Sequence, residues 1–200
     1  LEGIAEIKVE TIEDRKNALL TIIELTLLEI QDLEKQLNAL KDLEIRYVDI
    51  RNEFLAQLDN HKKYLESVKK LLNTEEFTMD AIKKLAQELK DWHENEYTQT
   101  VKNIIDFLLT FHNQAVLKIA DNRFYKISLD LKRFKAAKLI ETDTLEPLLA
   151  KAGDHLREAR ALNNEALSLL TASTTPITVS GTIQKLVQQS LNEIKYAYKL

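Results

Sequence analysis

The four histidines are where metal chemistry would have to begin, since this chain contains no cysteine. A di-iron centre inside a helical bundle takes ligands from Glu-x-x-His pairs on two helices, because that spacing brings both side chains to one face. Three residues before His61, His93, His112 and His155 stand Leu58, Lys90, Leu109 and Ala152, none of them a carboxylate. No His-Glu-x-x-His pair occurs either, so zinc-protease chemistry has no ligands. Thiolate nucleophiles, thiolate zinc sites and disulfides are excluded with cysteine. With three glycines in all, there is no Gly-x-Ser-x-Gly elbow and no glycine-rich phosphate loop. Carboxylates at helical spacing are numerous, but such residues ordinarily form a solvated face. The expectation is a protein that is not an enzyme and holds no metal or cofactor.

Two histidines and one group of lysines have a functional reading to weigh. His61 falls on an apolar helical seam, where an imidazole titrating near neutrality would act as a pH switch. The favoured reading is plainer: a polar seam residue that fixes register at some cost in stability. His93 precedes Glu94, an order that resembles the phospho-accepting histidine of two-component kinases. The Arg-x-Pro stretch of those kinases is missing, and Asn95-Glu96-Tyr97-Thr98 follows instead. A surface histidine beside a seam tryptophan is the better account. Lys62, Lys63, Lys69, Lys70, Lys83 and Lys84 flank one predicted bend and form the candidate surface-contact site. Clustered cations attract anionic lipid by about 1 kcal/mol each. Glu66, Glu75, Glu76 and Asp80 lie among them, so a mixed-charge exposed face is favoured over a lipid contact.

The elements that position these residues are legible from punctuation. Glycine and proline occur only at Gly3, Pro147, Gly153, Pro176 and Gly181. Residues 4–146 therefore lack both, and a β-protein of that length would need many tight turns. The stretch is rich in Leu, Lys, Glu and Gln, which favour helix. Thr11 and Asp14 form a capping pattern, and one helix is predicted over 11–72. Residues 73–78 are the predicted bend, with Thr78 or Asp80 capping a second helix over 79–140. Each helix of about 60 residues would span ~90 Å.

Leu33, Leu40, Tyr47, Phe54, His61 and Val68 repeat at sevens, beside Ile30, Leu37, Leu43, Ile50, Leu58, Leu65 and Leu72 with one slip between Leu37 and Leu43. This is a coiled-coil seam. Ile82, Leu85, Leu89, Trp92, Glu96, Val101, Ile104, Leu108, Phe111 and Ala115 form the facing stripe. A bend between residues 75 and 76 would pair Phe54 with Tyr97, Tyr47 with Ile104 and Leu40 with Phe111. Two shorter helices are predicted over 145–170, with Pro147 in the first turn, and from 182 to 200. Residues 5–10 and 176–180 alternate like short strands, a reading of low prior beside the helices.

The predicted fold is all-α: a long antiparallel helical hairpin, with two shorter C-terminal helices forming a four-helix bundle at its base. Residues 1–200 are read as a single elongated helical domain, with an arm over 45–105 and a base of 11–44 with 106–200. The base follows from Leu19, Leu20, Ile22, Ile23, Leu25, Leu27, Leu28 and Ile30, which make the first helix apolar nearly all round. Such a helix needs neighbours on every side.

Net charge of −4 argues against nucleic acid as a partner. The nearest approach to a membrane span, residues 18–30, is interrupted by Glu24 and Glu29. The chain opens on Leu1 rather than methionine, as expected of a fragment or processed form, and the compartment is left open. The hairpin and seam are generic to coiled-coil proteins, so no family's functional residues are carried over. The expected function is a helical interaction protein, a spacer or scaffold presenting an arm or bundle surface to a protein partner, with a homodimer among the options. A membrane-surface module of the crescent-dimer (BAR-like) kind is the alternative, though its third helix would be long where this one is short. A helical pore-forming toxin comes third. It needs an insertable segment, for which residues 103–117 come closest with Asp106 the one charge, and core is the preferred reading there.

Overall fold

The computed structural model describes residues 11–139, 143–172 and 180–200. Among the described residues there is no strand, and the chain is all-α. The strand-like stretch 5–10 and residues 176–179 lie outside the described residues, while Ser180 opens a helix. Two compact units divide at residues 101 and 102.

In the first unit, α1 (Ile12–Ala39) opens with the anticipated capping box. The Thr11 hydroxyl accepts from the Asp14 N–H at 3.1 Å, and the Asp14 carboxylate accepts from the Thr11 N–H at 3.0 Å. Two donors that no helical carbonyl can reach are thereby satisfied. Leu19, Ile23, Thr26, Ile30, Leu33 and Leu37 are its buried residues, alternating four and three apart.

The single rod expected over 11–72 does not form. α1 stops at Ala39, and α2 (Ile45–Thr74) starts only after a corner. Leu40 and Glu44 are extended, and Asp42 sits in the left-handed region at φ 57°. Aspartate is among the few residues that tolerate this conformation, so a corner forms without glycine or proline. The slip between Leu37 and Leu43 was its trace in the seam. α1 then doubles back along α2 and also meets α3 (Met79–Trp92). The hairpin of α2 and α3 thus has a third helix beside it within this unit.

The bend between α2 and α3 falls where it was expected. α2 ends at Thr74, and the Thr78 hydroxyl caps α3 by accepting from the Ala81 N–H at 3.2 Å. The register differs from the predicted pairing, which set Tyr97 opposite Phe54, for Tyr97 meets His61 with ring centroids 5.5 Å apart. Trp92 lies against His61 and Tyr64, with ring centroids 5.5 and 4.8 Å apart. A five-residue π-helical turn, His93–Tyr97, follows α3 and precedes α4 (Thr98–Ala136).

The second unit packs α4, α5 (Leu145–Ala172) and α6 (Ser180–Ala197). One core cluster gathers Leu117, Ala120, Leu156, Ala159 and Ile194, and another Ala166, Ile183, Leu186 and Val187. α4 was expected to reach residue 140 but ends at Ala136. Lys138 adopts φ 52°, and the Leu139 N–H donates to the Phe134 carbonyl at 3.0 Å. This is a Schellman stop with lysine in the place glycine usually takes. In residues 103–117, Ile104, Phe107, Leu108 and Phe111 are buried, which is how core behaves.

Candidate functional site

The aromatic cluster at the π turn is where the histidines of the first unit come together. Such turns recur at functional sites because one extra residue redirects the side chains that follow. The Thr98 N–H and hydroxyl both donate to the His93 carbonyl, the hydroxyl at 2.7 Å. Tyr97 is thereby directed inward. Its ring stacks on Trp92 at 5.4 Å and meets His61 edge-on at 5.5 Å. Its hydroxyl donates to the Glu29 carboxylate of α1 at 2.9 Å. Burial, and then that carboxylate, hold the Tyr97 phenol far above its ordinary pKa, so it stays a donor.

His61 is half-buried, and burial lowers its pKa while the charge of Glu96 opposes the shift. Its Nε2 lies 3.1 Å from the Thr100 hydroxyl, which donates to the Glu96 carbonyl. The polar-seam reading of His61 fits this environment. His93 is exposed, with its ring 6.4 Å from Trp92 and 5.4 Å from Tyr97. In the second unit His112 is exposed, and the His155 Nδ1 meets the Glu193 carboxylate at 2.6 Å. Among the described residues no group of three or more His, Asp or Glu is placed to hold a metal ion.

The lysines around the bend separate into two kinds. Lys63 pairs with Asp59 at 2.6 Å, Lys69 with Glu24 at 2.8 Å and Lys84 with Glu88 at 3.6 Å. Lys62, Lys70 and Lys83 have no ion pair among the described residues. Lys69 reaches back to α1, so part of this cluster serves packing within the unit. No helix among the described residues is long and apolar enough to cross a membrane.

An apolar surface that packing leaves exposed is on α1. Ile22, Leu25 and Leu28 are 49%, 62% and 60% exposed, whereas the neighbouring Ile23 and Ile30 are fully buried. At 100° per residue, Leu25 and Leu28 point away from the seam that α2 and α3 cover. The sequence signal was the run of apolar residues around the whole circumference of α1. What the sequence could not supply was which side the fold covers. The Tyr97–Glu29 contact and a buried Asn113–Asn163–Ser190 network also escaped notice, since 68, 50 and 77 positions separate the bonded pairs.

No family model matches the chain, and neither a curated protein nor a solved structure matches it.

Proposed function

We propose that this chain is a non-enzymatic helical interaction protein, a spacer or scaffold that presents the outer face of α1 to a protein partner. The observation that carries this reading is the exposure of Ile22, Leu25 and Leu28 on a helix whose opposite face is already buried. Fully burying an exposed side chain of this kind contributes roughly 1.5–3 kcal/mol, and about half of that is still available at each of these half-exposed positions. Contiguous apolar exposure of this kind marks interaction surfaces more often than isolated residues do. The membrane-surface alternative draws less support, because Lys63, Lys69 and Lys84 are each held by a carboxylate.

The test is site-specific photo-crosslinking in native extract. A benzophenone side chain at Leu25 should give a discrete, saturable protein adduct, or a dimer if the partner is a second copy. The same probe at the exposed Asn60 of α2 should not. Equal and diffuse labelling from both positions would remove the proposal.

A further inference from the structure

The second unit contains an apolar groove between α4, α5 and the end of α6, with a volume of about 200 Å³. Phe124, Ile127, Leu148, Leu149, Ala152 and Tyr198 are among its walls, and Arg123 carries the one charged side chain among its described lining residues. We propose that this groove binds a free medium-chain monocarboxylate, its alkyl chain along the apolar walls and its carboxylate on the Arg123 guanidinium.

Three observations point to that ligand. The first is size. An apolar cavity of about 150 Å³ admits benzene, so this one takes a somewhat larger apolar group. A single alkyl chain suits it, and a two-chain lipid does not. The second is charge. Asp121 holds Arg160 at 2.7 Å, Asp130 holds Arg133 at 3.5 Å, and Asp154 holds Arg157. Arg123 has no carboxylate partner among the described residues, and its guanidinium lies 5.6 Å over the Tyr198 ring. A guanidinium braced on an aromatic face keeps in-plane N–H donors for a planar anion. The third is how the wall is built. Gly153 lies inside α5, where glycine is a poor helix former. A Cβ there would stand 3.0 Å from the Phe124 ring. The missing side chain lets that ring close against α5, which shapes the inner wall of the groove.

Calorimetry and methyl NMR of the full chain with hexanoate, octanoate and decanoate, each below its micelle concentration, test the assignment. Affinity should rise about fourfold per methylene until the groove is filled, and shifts should concentrate at Ile127, Leu148 and Leu149. Arg123→Gln should weaken decanoate about tenfold while leaving decan-1-ol unchanged. Leu148→Trp should weaken both ligands with helicity retained. The proposal is overturned if decanoate fails to saturate. Equal binding of acid and alcohol that ignores Arg123→Gln would also overturn it. Binding confined to phosphatidylglycerol vesicles would assign the face to a membrane surface and discard the free acid. None of these outcomes depends on the outer face of α1.

Discussion

His61 and Asn113 are both polar residues inside helical packing, and they differ in what their burial costs. Burial disfavours the His61 imidazolium, so its folded pKa lies below the ordinary 6.5. As pH falls, the unfolded chain takes up this proton first, and protonation pulls the equilibrium toward unfolding. The stability contribution of neutral His61 is therefore complete above about pH 6.5 and is lost as pH drops through the folded value. Thermal melts at about pH 7.5 and about pH 5.5 should show a smaller loss for His61→Gln than for the parent chain. An equal loss would show that His61 titrates as it does in water. In Asn113, the Nδ2 group donates to the Asn163 Oδ1 at 2.7 Å and to the Ser190 hydroxyl at 2.9 Å, linking α4, α5 and α6. The Ser190 hydroxyl donates in turn to the Ala159 carbonyl at 2.8 Å. Asn113→Ala would leave buried partners unmatched and should cost about 2 kcal/mol in denaturant melts. The seam position of His61 could be read from its spacing. The role of Asn113 could not, because polar residues in one chain segment carry no mark of their partners on two other helices.

Helix ends were the most legible elements where a side chain caps locally. Thr11 with Asp14, and Thr78 before α3, act within three residues, so sequence order already brings the bonding atoms together. The corner at residues 40–44 was hidden because it uses neither glycine nor proline, and only the heptad slip recorded it. Asp42 gives a test whose sign separates corner from rod. In a continuous helix Asp42→Ala would stabilise, alanine being the better helix former. At φ 57° alanine meets a steric penalty of roughly 1–2 kcal/mol, and Asp42→Ala should lower the melting temperature. Asp42→Gly should preserve or raise it. The opposite pair of signs would restore the rod. The end of α4 was overestimated for a related reason: Lys138 completes a Schellman stop without the glycine that usually announces one.

At the scale of the whole molecule, the question is which apolar residues the units cover and which they leave in water. Ile23 is fully buried in the first unit, and Ile23→Ala should cost about 2–5 kcal/mol. Leu25→Lys with Leu28→Lys should change stability by less than about 0.5 kcal/mol per site, since both side chains already face solvent. Chemical denaturation of the two variants measures the contrast, and a large loss in the double variant would mean that the outer face is internal packing. The all-α class, the caps and the bend at 73–78 were determined by the sequence alone, because composition, periodicity and contacts between near neighbours create them. The corner at Asp42 left a heptad slip as its one local trace, whereas the Tyr97 register, the bond from Tyr97 to Glu29 and the groove beside Arg123 were decided only by tertiary structure. Each of these three depends on residues far apart in the chain meeting at one depth. That meeting is set by how whole helix faces compete for burial, and no local pattern encodes its outcome.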